Sequence, residues 1–220
     1  NVNDLLNVVN HLLDFQKVEN KEARLNITEQ NINHLLQEIC GQFISFTELK
    51  NIKLITSLPD NDFVAPVDKN ALSKILFNLL GNAIKYANQR IELRLEQYHD
   101  HFDILVADDG PGVPDYEKDK IFEAFYQSDE ESNPGTGIGL AFSKILSENH
   151  GGSLSISNND WNGATFKLTL PLYALSSQMK TENIISENII ETVGTETNQP
   201  NEDTSTGDYK SNRILLVEDN

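Results

Sequence analysis

Residues 102–112 read FDILVADDGPG. Apolar side chains at Phe102, Ile104 and Val106 alternate with a period of two, which is the pattern of a buried strand. A turn follows at Gly110, Pro111 and Gly112, where glycine lets the backbone bend tightly and come close to a ligand. A carboxylate at the end of such a strand, at Asp108, is placed to hold something planar and polar. An Asp-Gly turn taken alone usually does no more than reverse the chain. Its meaning depends on what else the sequence carries.

The 220 residues are enough for one domain of ordinary size with extensions. The hydrophobic share is 38% and the charged share 23%, a water-soluble composition. No apolar run approaches the roughly 20 residues of a membrane span, and no signal-peptide pattern opens the chain. Cys40 is the one cysteine, which excludes an internal disulfide and a multi-cysteine metal site and reads as a core residue. The net charge of −17 argues against nucleic acid as a partner, since a phosphate backbone would be repelled. From Pro171 onward there are nine acids and three bases, so part of that charge is local.

Residues 1–22 carry Val2, Leu5, Leu6, Val9, Leu12 and Leu13 at spacings of three and four, an amphipathic helix with a bundle-type seam. It reads as the remainder of a longer helix, with His11 beside the stripe as a surface or interface residue. A second helix is predicted over 31–49, with Ile32, Leu35, Leu36, Ile39 and Phe43 on one side. IKLITSL and DFVAPV read as strands, and Asp68 as the N-cap of a helix from Lys69 to about Ala87. On that helix Asn78, Asn82 and Lys85 fall within about 60° of one another, while Leu72, Ile75, Leu76, Leu79 and Ala83 point the other way. Asparagine is a poor helix-interior residue. The stripe is therefore either an ordinary solvated face or one that meets a ligand.

RIELRLEQY and FDILVADD form a hairpin around His99, Asp100 and His101, whose histidines are expected to be exposed. YEKDKIFEAFYQS reads as a short helical piece, with Phe122 and Phe125 either in the core or anchoring a loop over a ligand. Gly135, Gly137 and Gly139 alternate ahead of a helix from Leu140 to Asn149. Such an approach offers free backbone N–H groups and the positive end of the helix dipole to phosphates. No strand precedes it and no downstream acid follows, so a dinucleotide fold is rejected. SLSIS and ATFKLTL close the domain around a turn from Asn158 to Gly163. Residues 174–211 read as a polar, acidic linker, and RILLVEDN over the end of the chain as a buried parallel strand that delivers Glu218 and Asp219.

Taken in order, these signals resemble the ATP-binding catalytic domain of sensor histidine kinases, within the wider family that includes gyrase, Hsp90 and MutL. NLLGNAIKY (Asn78 to Tyr86) resembles the family's asparagine box, DDGPG the first glycine box, IFEAF the phenylalanine box, GTGIGL the second glycine box and GATF (Gly163 to Phe166) the terminal glycine motif. LLDFQKVENKEARL resembles the second helix of a dimerisation and phosphoacceptor domain, and ILLVEDN the first strand of a receiver domain. The implied layout is a dimerisation helix over 1–24, the catalytic domain over 25–173, the linker, and a receiver strand over 212–220, as in a hybrid histidine kinase.

The resemblance implies a two-layer α/β sandwich of the Bergerat type, with a mixed, mainly antiparallel sheet and helices on one face. It implies ATP and Mg²⁺ as cofactors. Asp108 would accept a hydrogen bond from the adenine amino group and so disfavour guanine. Gly110 and Gly112 would lie close to the base. Asn82 would hold Mg²⁺ through its amide oxygen; Asn78 would orient water or phosphate, Lys85 neutralise phosphate charge and Tyr86 cover the nucleotide. Gly135, Gly137 and Gly139 would cradle phosphates, with Thr136 as hydroxyl donor and Leu140 beside them. Phe122 and Phe125 would anchor the lid, and Thr165 would lie near the adenine.

Nothing in the sequence resembles the phosphoacceptor box, and the receiver aspartate would lie beyond Asn220, so no catalytic residue for phosphotransfer is expected among these residues. The implied partners are a second copy through the first helix and a receiver domain or response regulator. The implied location is the cytoplasm, with the parent anchored at the inner membrane by segments outside this sequence. Two other readings stay open. One is an ATPase clamp of the gyrase and MutL type, which usually has a glutamate where Asn78 stands. The other is a nucleotide-binding interaction module without kinase activity.

Overall fold

The computed structural model describes residues 25–127 and 136–172. The readings made for 1–24, Gly135, the linker, Glu218 and Asp219 fall outside these residues. Strand β1 (Thr28–Asn31) leads into helix α1 (Ile32–Leu49), followed by β2 (Lys53–Ser57), β3 (Val64–Val67) and helix α2 (Lys69–Tyr86). The hairpin β4 (Arg90–Gln97) and β5 (His101–Asp108) comes next, then helix α3 (Gly139–Asn149), β6 (Ser153–Asn158) and β7 (Ala164–Pro171). β5 is the middle of a five-stranded sheet ordered β2-β4-β5-β7-β6. Every pair in that sheet is antiparallel except β2 with β4. A parallel neighbour needs a long crossover, and the chain between β2 and β4 holds α2.

The helices start where the capping residues stand. Asn31 Oδ1 accepts from the His34 N–H (3.1 Å), and Asp68 Oδ1 accepts from the Ala71 N–H (2.9 Å), each satisfying a donor that the first turn leaves open. Behind the caps, apolar periodicity selects the buried face. Ile32, Leu36, Leu72, Ile75, Leu76, Leu79 and Leu80 are fully buried against Ile91, Leu93, Phe102, Ile104, Val106 and Leu168 of the sheet. Burying each such side chain contributes about 1.5–3 kcal/mol. The result is a two-layer α/β sandwich with the helices on one face. On the other face the buried carboxylates are compensated: Glu92 takes hydrogen bonds from Ser57, Arg90 and Arg94, and Asp103 from Thr169. Cys40 is buried, and burial pushes its thiol up to about 11. Among the described residues no helix is long and apolar enough to cross a membrane.

Three features depart from the sequence reading. β1 was not predicted because Thr28-Glu29-Gln30-Asn31 has no apolar alternation; its pairing with β3 in a separate two-stranded sheet makes it a strand. Of the stretch YEKDKIFEAFYQS, residues 116–127 form turns with a single 3₁₀ segment, Lys120–Phe122, and Phe125 takes a positive φ of 68° that no helix allows. His101 is also less open than expected: its ring stacks on Tyr98 at 4.5 Å.

His150, just past α3, ties two helices together. Its Nδ1–H donates to the Leu146 carbonyl (2.7 Å), so Nε2 is the bare nitrogen that accepts from the Asp68 N–H (3.2 Å). Burial holds the imidazole below its usual value of 6.5, against the opposing pull of the Leu146 bond and the Asp68 carboxylate. The unfolded chain therefore takes up this proton first, and the stabilisation from His150 is complete above pH 6.5 and lost as the pH falls below it. The urea midpoint of the wild type is expected to drop between pH 7 and pH 5.5, and this component of the drop should be absent from His150→Gln.

Candidate functional site

Asp108 ends the central strand on the helix-facing side, in line with Phe102, Ile104 and Val106, and is 3% exposed. Its Oδ1 accepts from the N–H of Gly110 (2.8 Å) and of Ala164 (3.4 Å). Burial pushes the carboxyl up; those two backbone bonds oppose the shift, and the neighbouring Asp109 adds to it. Gly110 is needed for close approach, because a Cβ there would lie 2.6 Å from the Tyr86 carbonyl oxygen and 2.8 Å from Asp108 Oδ1. Tyr86 thereby meets the strand end through its backbone, while its ring is 43% exposed with Lys85 Nζ 4.9 Å from the centroid. Gly112 follows with φ 70°.

Asp109 does different work. Its carboxylate accepts from the N–H groups of Asn88, Gln89 and Arg90 at 2.9–3.1 Å. Partial burial pushes its carboxyl up, but the bonds from Arg90, Gln89 and Asn88 outweigh that and hold it below the usual carboxylate range. One aspartate is thus a desolvated acceptor with both its backbone donors on one oxygen, and the next a satisfied cap on the turn into β4. Asp109→Ala should cost about 2 kcal/mol in urea unfolding, as for hydrogen bonds to a charged group. Asp108→Asn, which keeps an acceptor for Gly110 and removes a buried charge, should leave the midpoint unchanged or raised.

Across from Asp108 lies the amide stripe of α2, with Asn78, Asn82 and Lys85 partly buried on one face. Asn78 Nδ2 donates to the Gly139 carbonyl and to Ser143 Oγ, both at 3.1 Å, so the stripe meets the start of α3. The N-cap position of α3 is Ile138, which has no side-chain acceptor to offer the first N–H groups of the helix. Gly137 has φ 67° and a Cβ there would lie 2.7 Å from the Phe125 backbone, which leaves room for glycine only. The exposed Thr136 accepts from the Ile138 N–H (3.4 Å), and Leu140 packs on the core. Tyr86 thus meets Asp108 through Gly110, Asn78 meets Gly139 at the start of α3, and Asn82 and Lys85 share the face of α2 between these two contacts.

Thr165 and Phe125 do not join them as expected. Side chains alternate along a strand, and Thr165 pairs with Ala107, not with Asp108. Its hydroxyl turns to the open sheet face, where it accepts from Asn159 Nδ2 (3.2 Å) and lines a recess with Glu92 and Arg94. The group that motif delivers to Asp108 is the backbone N–H of Ala164. Phe125 leaves its side chain 64% exposed, and its N–H bonds the Gly137 carbonyl (2.9 Å). Phe122 is the phenylalanine that packs on the core, with Lys144 Nζ 5.4 Å from its centroid.

Three supporting side chains escaped the sequence reading. Ser143 shares Asn78 with Gly139. Asn159 Nδ2 donates to the Asp108 and Ala164 carbonyls, and its Oδ1 accepts from Trp161 and Gly163. Asn158 clamps Val113 with a bond in each direction. The signal was the Asn158-Asn159 pair, read as an ordinary turn. Among the described residues no group of three or more histidine, cysteine or carboxylate side chains could hold a metal. A cation at this site would therefore take one amide oxygen, that of Asn82, and fill its shell with phosphate and water. That donor set fits Mg²⁺, which keeps its waters and seldom sits in an all-protein cage.

Residues 67–174 match the model of the histidine kinase-, DNA gyrase B-, and HSP90-like ATPases. These residues form a domain of this family. Among curated members it is 35% identical to the sensor histidine kinase TmoS of Ectopseudomonas mendocina, over 84% of this chain and 20% of that protein. Among solved structures of the family it superposes on full-length ShkA in complex with AMPPNP with a TM-score of 0.70 at 29% identity, covering 76% of this chain and 36% of that one. It also superposes on the histidine kinase ThkA in complex with the response regulator protein TrrA, with a TM-score of 0.64 at 26% identity, over 78% of this chain and 48% of that one. The chain spans a fifth or less of the length of the first curated relatives it matches.

Proposed function

We propose that this chain is the ATP-binding catalytic part of a sensor histidine kinase of the hybrid type, working in two-component signalling. The observation that carries this reading is the buried Asp108 carboxylate, whose backbone bonds both fall on Oδ1. Its Oδ2 is the oxygen for an outside donor, and an adenine amino group matches it. A guanine carbonyl at that place would leave the desolvated carboxylate unpaired, which is the kind of mismatch that gives large discrimination.

In this reading Gly110 and Gly112 let the base approach the strand end. Lys85 and the N-terminus of α3 offset phosphate charge. Asn78 turns its amide from Gly139 and Ser143 toward the phosphates. Asn82 holds Mg²⁺, which when bound neutralises charge on the phosphate oxygens. The chain's own contribution to γ-phosphoryl transfer is positioning and electrostatics. The transfer to a histidine and then to an aspartate belongs to the parent protein. The likeness to a kinase solved with a response regulator supports such a partner. The leucine stripe of residues 1–22 supports a homodimer, and ILLVEDN near the C-terminus supports a receiver. Asparagine at position 78, where a clamp-type ATPase carries a glutamate base, favours transfer over hydrolysis.

Calorimetric titration with Mg-ATP and Mg-GTP tests the reading. ATP should bind in the micromolar to sub-millimolar range. GTP, and ATP on Asp108→Asn, should bind at least about tenfold more weakly, as expected when a buried polar partner is lost. No heat with ATP at any workable concentration would end the nucleotide reading.

A further inference from the structure

The helices α2 and α3 run antiparallel and are tied at two points. At one end Asn78 holds the start of α3 through Gly139 and Ser143. At the other, the Asp68 N–H donates to His150 Nε2. Ten residues of α2 separate Asn78 from Asp68, roughly 15 Å along the axis. The two ties differ in kind. The first is made by a partly buried asparagine in the candidate site, and a phosphate there would compete for the same amide. The second is buried, Asp68 at 9% and His150 at 8% exposure.

The buried tie is also the more fully determined. The Leu146 carbonyl can only accept and the Asp68 N–H can only donate, so the two partners fix a single tautomer of the ring. Asp68 is itself spent in three directions: its N–H on His150, Oδ1 on the first turn of α2, and Oδ2 on the Asn26 N–H at 2.7 Å. The same residue therefore caps the helix that bears the amide stripe, receives the chain as it enters β1, and holds the far end of α3. Each of these contacts uses a different atom.

We propose that His150 is a positioning residue for the nucleotide. By joining the Leu146 carbonyl to the Asp68 N–H, it sets the gap between the amide stripe of α2 and the N–H groups at the start of α3. This rests on the nucleotide reading above. His150 touches no phosphate; it acts through the spacing of the two elements that do. When Asn78 gives up Gly139 for a ligand, the His150 tie is what keeps α3 in register.

Two near-isosteric variants separate this role from plain packing. His150→Asn keeps a donor for Leu146 at the position of Nδ1 and loses the acceptor for Asp68. His150→Gln reaches the position of Nε2 and can offer Asp68 an oxygen. Each is first checked for folding by circular dichroism and urea unfolding, then titrated with Mg-ATP. His150→Asn should bind about tenfold more weakly or worse, given how steeply misplacement of a site weakens it. His150→Gln should stay within about threefold of wild type. Affinities that are equal in the two variants, or His150→Asn within twofold of wild type, would overturn the proposal.

A measurement on the wild type does not depend on either variant folding. Imidazole nitrogen shifts should report a protonated Nδ1 and a bare, hydrogen-bonded Nε2, and the Asp68 amide should exchange slowly. A protonated Nε2 or a fast-exchanging Asp68 amide would overturn the tie itself. Wild-type protein that gives no heat with ATP would bring down the nucleotide reading and this inference together. Normal ATP binding with no Asn-to-Gln difference would bring down this inference alone.

Discussion

A carboxylate at the end of a strand buried on both faces is costly to keep charged, and much of this structure accommodates Asp108. Burial raises the energy of its ionised form, so backbone donors must come close, and side chains must not stand in their way. Gly110 sits where a Cβ would strike both Asp108 and Tyr86. Gly163 sits where a Cβ would overlap the Asp108 carbonyl oxygen. Asn159 takes up that carbonyl and then holds the turn that brings Ala164 within reach of the side chain. The motif at 163–166 is thus less a source of ligand contacts than a device for presenting one N–H.

The neighbouring Asp109 shows how two identical side chains can be given opposite tasks by strand alternation. Asp108 faces the helices and is poorly satisfied; Asp109 turns toward the β4 entry and collects three N–H donors. In the proposed reading the first is held for a ligand, while the second holds the turn into β4. An electrostatic division of this kind costs the fold something at one position and recovers it at the next. It also keeps the approach to β4 rigid next to the group that would read a base.

Legibility in the sequence followed the strength of local pattern. The helix spans, the cap at Asp68 and the core residues could be read because periodicity and capping chemistry act over a few residues. The amide stripe and the glycines could be read only together, through the resemblance. Strand β1 could not, since four polar residues become a strand only by pairing with β3. Thr165 was misassigned because the motif was read as a set of letters, whereas the pleat decides which letter faces the site. Phe125 was misread for a related reason: a positive φ is invisible in a string, and it sends the ring outward while the backbone makes the contact. Asn159 and His150 escaped notice because their partners lie as far away in sequence as Asp108 and Asp68.

The parallel pairing of β2 with β4 has a bearing on the order in which the chain can assemble. The hairpins β4–β5 and β6–β7 close over short loops, whereas β2 reaches its place beside β4 only across a crossover, and β7 reaches β5 across a longer stretch still. The β2–β4 crossover contains α2, so closing the β2 edge also brings back the segment that carries Asn78 and Asn82. Non-local closures of this kind come late and slowly in folding. A chain that has seated β2 beside β4 has, in the same closure, brought the amide stripe back to the sheet.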